Sequence, residues 1–241
     1  MLVSPYSMVG ASGHIRYSRF ANSEYILAPM ESLKPQDVVV VLKLCADTAR
    51  RGPHGTGLPF SSLAVLGIDL GLSSSEVHGA LRRARASGLL RHDQAHVAVP
   101  RPPESSETPP GATLRVRFRA LSHERPNVTG VLEFLVHGLK YVFPAKRGEM
   151  TRGVATSYAA PPLSAYIARG TEPIPVWPFP EGTERGVSFE PLYRSVPAAA
   201  MRDPALYELL AIADALREAR ARERKVAEEQ LRERLGRIDE G

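Results

Sequence analysis

The sequence predicts an α+β chain, with a helical N-terminal module followed by a mixed α/β region that ends in helices. Three observations carry this. Between residues 35 and 86 apolar side chains recur at helical spacing in three successive runs, each bounded by proline, serine or glycine. Two short strand-like pieces around a polar tip follow the third run directly. Asp203-Pro204 then opens a last stretch in which Leu206, Leu209, Leu210, Ala213 and Leu216 repeat on one face.

At 241 residues the chain has room for one large domain or two ordinary ones. A formal charge of +5 is compatible with a nucleic-acid partner without requiring one, so the placement of the charge decides more than its sum. The single cysteine, Cys45, excludes a disulfide framework and a cysteine-rich zinc site, and its apolar run makes it a buried small hydrophobe. No segment approaches the roughly 20 apolar residues that span a bilayer, and the N-terminus lacks a secretory pattern. A cytoplasmic protein is expected, in which the sequon Asn127-Val128-Thr129 has no use.

Residues 1–29 show no sustained period and read as a poorly ordered upstream extension, with Met30 the expected natural start. Gly10-Ala11-Ser12-Gly13-His14 within it has the look of a dinucleotide-binding turn, but neither the strand before it nor the helix after it is present. Pro35 suits the first turn of a helix, and Val38, Val41, Leu42 and Cys45 carry that helix to about residue 49. A glycine-rich connector, 50–57, separates it from a second helix over about 60–70, which Gly71 terminates. Ser73 and Glu76 have capping-box spacing and open a third helix. Its buried stripe is Val77, Leu81 and Ala84, and Gly88 closes it. Residues 89–91 and 97–99 read as a β-hairpin around a tip holding His92 and His96.

Pro100, Pro102, Pro103, Pro109 and Pro110 mark a linker over 100–112. Residues 113–119 alternate as a strand with one wet face. Residues 128–139 form an amphipathic helix through Val131, Leu132, Leu135 and Val136, and 141–197 reads as short strands and tight loops. After Asp203-Pro204 either one long helix or two joined near Arg222 completes the chain. The expected domains are therefore 30–99 and 113–241.

Helix, helix, tight turn, helix, hairpin is the order of a winged helix-turn-helix, whose third helix packs on the first two and enters a DNA major groove. The face opposite Val77, Leu81 and Ala84 suits that task. Ser74 and Ser75 lie at the helix N-terminus, where backbone N–H groups hold phosphate. His78 reaches a base edge, Gly79 allows close approach and Arg82 has the geometry to read guanine. Arg83, Arg85 and Arg91 are assigned to the flanking phosphates. Leu63-Ala64, Leu70-Gly71-Leu72-Ser73, Ser75-Glu76-Val77-His78, Ala80-Leu81-Arg82-Arg83-Ala84 and Ser87-Gly88-Leu89-Leu90 together resemble the DNA-binding domain of bacterial MarR-like regulators. A winged N-terminal domain with a separate C-terminal domain is also similar in layout to the repressor-antitoxins of abortive-infection systems.

The expectation is a non-enzymatic, sequence-specific binder of double-stranded DNA, a transcriptional regulator with repression as its output. It acts as a homodimer through the 128–141 helix or the C-terminal helices, with no cofactor and no metal. The alternative is an antitoxin-type or protein-binding module whose C-terminal domain engages a partner protein. No phosphate-loop lysine, paired-histidine metalloprotease helix or Gly-x-Ser-x-Gly elbow is present. His92 and His96 read as a solvated loop and His137 as a structural histidine beside an apolar face. Lys146, Arg147 and Arg152, among glycines and Thr151, form a candidate anion or effector site, against the plainer reading of a basic surface loop. Trp177 with its flanking prolines and Phe179 either packs in the interior or lines an aromatic groove.

Overall fold

The computed structural model describes residues 32–51, 62–92, 124–218 and 221–239, and these form a mixed α+β structure. The extension, the glycine turn, most of the 50–57 connector, the 97–99 strand, the proline-rich linker and the 113–119 strand lie outside the described residues.

Helix α1 (Pro35–Arg51) is the centre of the fold. The four expected stripe residues are buried, but so are Val39, Val40, Leu44 and Ala46, and a helix that is apolar all round must be covered all round. Helices α2 (Leu63–Leu70) and α3 (Ser74–Ala86) belong to one side of that cover, with α3 directly on α1. Helices α7 (Pro204–Glu218) and α8 (Ala221–Asp239) also pack on α1. The two parts expected as separate domains therefore share one hydrophobic core, which runs from Val38 through Val77 and Leu81 to Leu210, Leu216 and Leu231.

Local signals set the helix ends. The Ser62 hydroxyl accepts from the Val65 N–H at the start of α2, and Gly71, at φ +65°, closes it with its N–H on the Gly67 and Ile68 carbonyls. A side chain at Gly71 would be strained by that φ and would bring its Cβ to 3.0 Å from the Cβ of Ser195. Ser73 and Glu76 complete the capping box: the Ser73 Oγ accepts from the Glu76 N–H at 3.2 Å and the Glu76 carboxylate from the Ser73 N–H at 2.8 Å.

Strand β1 (Leu90–His92) pairs antiparallel with β2 (Glu124–Pro126), with Leu90 opposite Pro126 and Arg91 opposite Arg125. The two strands lie more than 30 positions apart, beyond the reach of a local turn signal; the expected partner 97–99 lies outside the described residues. The rod that follows begins as α4 (Val128–Glu133), opens into a π-helical turn over Phe134–Gly138 and ends as α5 (Leu139–Val142). Its Val131, Leu135, Val136 and Leu139 are buried, and it packs on α7 and α8.

The short-strand region resolves into β3 (Arg147–Ala155), β4 (Pro175–Pro178) and β5 (Glu184–Phe189). β3 pairs antiparallel with both others, and β4 and β5 pair parallel, so the three strands close on themselves. Such tight closure needs a bare backbone: a Cβ at Gly153 would lie 1.9 Å from the Trp177 carbonyl oxygen. Trp177 is fully buried, which settles packing over an aromatic groove, and its Nε1 donates to Asp214 Oδ2 at 2.6 Å. Thr156 Oγ1 donates to the same oxygen at 2.8 Å, and Arg217 Nη1 to Oδ1 at 2.7 Å. Arg217 also donates to the carbonyls of Phe143, Pro144 and Glu190. A fully partnered buried network of this kind ties the small barrel to α7. Helix α6 (Val196–Arg202) precedes Asp203, whose Oδ1 accepts from the Leu206 N–H and caps α7.

Candidate nucleic-acid interface

α3 presents two opposed faces. Val77, Ala80, Leu81 and Ala84 are at most 2% exposed and pack on α1 and α2. Ser74, Ser75, His78 and Arg82 are exposed, and Gly79 is half-buried among them. Ser74, His78 and Arg82 thus follow one another about one turn apart along the helix surface, with Ser75 beside the first.

The remaining arginines divide by partner. Arg83 is a correction: it is buried, and its Nε and Nη2 donate to Asp37 Oδ2 and Oδ1, both at 2.7 Å. It anchors α3 to the first turn of α1 and does not face outward with Arg82, because position 83 falls beside Ala80 and Ala84 on the packed side. Arg85 pairs with Glu124 on β2, Nη2 to Oε1 at 3.2 Å, and is only half-buried. Arg91 is exposed on β1, where its Nη2 donates to Asn127 Oδ1 at 2.7 Å; the Asn127 Nδ2 in turn donates to the Gly88 carbonyl at 2.7 Å. This chain of contacts holds Arg91 at the C-terminal end of α3.

The N-terminal end of α3 is built partly from the far end of the sequence. Tyr193 Oη donates to Glu76 Oε1 at 3.2 Å, and the exposed Arg194 lies beside the same carboxylate. Hydrogen bonds from the Ser73 backbone and hydroxyl, then from Tyr193, hold the Glu76 carboxyl below the usual glutamate range. The one acid of α3 is thereby occupied at its base, and Arg194 adds a cation to the helix entrance. Sequence reasoning missed Tyr193, Arg194 and Asp37. A charged residue at the edge of the Val38–Val41 run was the only available sign of the last; nothing local points to the first two.

The three cations of the second candidate site are not gathered into one pocket for an outside anion. Lys146 is 3.1 Å from Glu190, and Arg147 pairs with Glu218, so two of its three cations are matched by acids of the same chain. Arg152 stands apart on β3 and is exposed. His137 is exposed rather than structural. Cys45 is fully buried, and burial pushes its thiol up to about 12.

Lys43, Arg50, Asp47, Asp69 and Asp203 form a further charged cluster where α1 and α2 meet the start of α7. Lys43 Nζ lies 3.1, 3.3 and 2.8 Å from Asp47, Asp69 and Asp203. Arg50 donates to both oxygens of Asp203, at 2.9 and 3.0 Å. A cavity of about 110 Å³ opens beside it, rimmed also by Arg202. Its cations and carboxylates neutralise one another, which makes it a latch between helices. No group of metal-binding side chains occurs among the described residues, and no helix among them is long and apolar enough to cross a membrane. No protein family, curated protein or solved structure matches this chain.

Proposed function

We propose that this protein binds double-stranded DNA through the outer face of α3 and acts as a transcriptional repressor. The order α1, α2, α3, β1 supports a winged helix-turn-helix reading. The observation that carries the reading is the disposition of α3: Ser74, Ser75, His78 and Arg82 exposed on one face, with Val77, Leu81 and Ala84 packed on the other. A helix so arranged fits a major groove about 12 Å wide, with its serines on phosphate and Arg82 on a base edge. Arg91 on β1 and Arg194 at the helix entrance supply flanking phosphate contacts.

Two copies bound to a partly palindromic site would supply the specificity that one helix lacks. Most of the apolar stripes of the 128–142 rod and of α7 and α8 is buried inside the chain, while Tyr141 and Val142 at the end of the rod stay exposed and are available to a second copy.

The test is a fluorescence-anisotropy titration with a duplex from the protein's own upstream region and a scrambled duplex, for wild type and Arg82→Ala. Salt-sensitive preference for the native duplex, lost in Arg82→Ala, supports the reading. Equal weak binding of both duplexes by both proteins overturns it.

A further inference from the structure

On β3 and β5, Arg152 stands directly opposite Arg185, and both are exposed. Directly opposed residues of an antiparallel pair share a face with their Cβ atoms about 5 Å apart, and like charges so placed repel. Among the described residues neither arginine side chain takes part in an ion pair or hydrogen bond, although Lys146, Arg147 and Arg169 nearby in the same region each have a carboxylate. Two guanidiniums held together without an acid are arranged for an oxyanion supplied from outside.

Opposed arginines occur a second time among the described residues, there with Arg91 also donating to Asn127. Arg91 and Arg125 are directly opposed on β1 and β2, both exposed, beside α3. Each pair is exposed at the surface, where a single small anion gains little against water and salt. A polymer carrying phosphates at short intervals makes several such contacts in one complex, and each contact then adds counterion release to the whole.

We propose that Arg152 and Arg185 form a phosphate clamp on the DNA backbone, outside the segment read by α3. The inference rests on the DNA-binding reading and adds a second, sequence-independent contact to it. The pair is assigned no base-reading role, because contacts to phosphate fix position without sequence information.

The experiment compares wild type, Arg152→Gln/Arg185→Gln and Arg82→Ala on a short and a long duplex that share one central site, across a series of KCl concentrations. The double variant should bind the short duplex as wild type does and the long one several-fold more weakly. Its log–log salt slope on the long duplex should be shallower by about 2, from roughly 0.9 per lost phosphate contact. Sequence preference should be unchanged in the double variant and lost in Arg82→Ala. A double variant equal to wild type on the long duplex in both affinity and slope overturns the clamp and leaves the α3 reading standing. Wild type that binds neither duplex overturns both. Urea unfolding gives an independent readout: relief of the repulsion should leave the double variant at least as stable as wild type. A clear loss of stability would show that the arginines serve contacts within the chain, and would overturn the proposal.

Discussion

Arg83 grips Asp37 with two parallel hydrogen bonds, Nε to Oδ2 and Nη2 to Oδ1, both 2.7 Å, and Asp37 is wholly buried. Asp37 Oδ2 also accepts from the Lys34 N–H at 2.8 Å. One carboxylate thus caps the first turn of α1 and fixes α3 across it, so the orientation of the outer face of α3 depends on a charge pair hidden beneath it.

Removing either partner strands a buried charge. Arg83→Ala and Asp37→Ala should each lower stability by about 3–5 kcal/mol in urea unfolding, as for other broken buried ion pairs. The double variant should lose clearly less than the sum of the two. Additive losses would show that the pair contributes nothing as a pair.

Asp203 makes stability depend on acid. Burial alone would raise its carboxyl, but hydrogen bonds from Lys43 and the Leu206 N–H, with Lys43 and Arg50 beside it, outweigh burial and hold it below the usual aspartate range. A carboxyl depressed in the folded state contributes stability above its unfolded value, and that contribution is lost as pH falls through the lower folded value. Wild type should therefore lose stability below about pH 4, and Asp203→Asn should lose less over the same range while being weaker at pH 7. An identical pH dependence of the two in urea titrations would remove Asp203 from the account.

Cys45 should behave as a reporter of unfolding. Its thiol is fully buried and raised to about 12, so no thiolate is available at pH 8. Reaction with a thiol-specific disulfide reagent should be absent in the native protein and complete in denaturant. Rapid native labelling would show that α1 is not enclosed by α3, α7 and α8.

The capping box is separable from recognition. Ser73→Ala removes the acceptor for the Glu76 N–H and should cost about 1 kcal/mol. Preference between native and scrambled duplexes should survive, since the Ser73 hydroxyl is engaged with Glu76. Loss of that preference without loss of stability would place Ser73 itself on DNA.

Helix ends and apolar stripes were legible in the sequence because they depend on neighbours three or four positions away. Ser73 with Glu76, Gly71 at positive φ and Asp203 before Pro204 each act within one turn, and the stripe of Val77, Leu81 and Ala84 shows which side of α3 is packed. Tertiary structure alone decided what meets those elements. Arg82 and Arg83 are adjacent and alike in sequence, yet one is exposed and the other buried on Asp37, because a helix turns about 100° per residue and only the position of α1 says where that side is. The pairing of β1 with β2, the opposition of Arg152 to Arg185 and the contact of Tyr193 with Glu76 join residues from about 30 to more than 100 positions apart. Such pairings carry no local signature, since they arise from burying a shared core, and for that reason the charges available to an outside partner could be identified only in the folded chain.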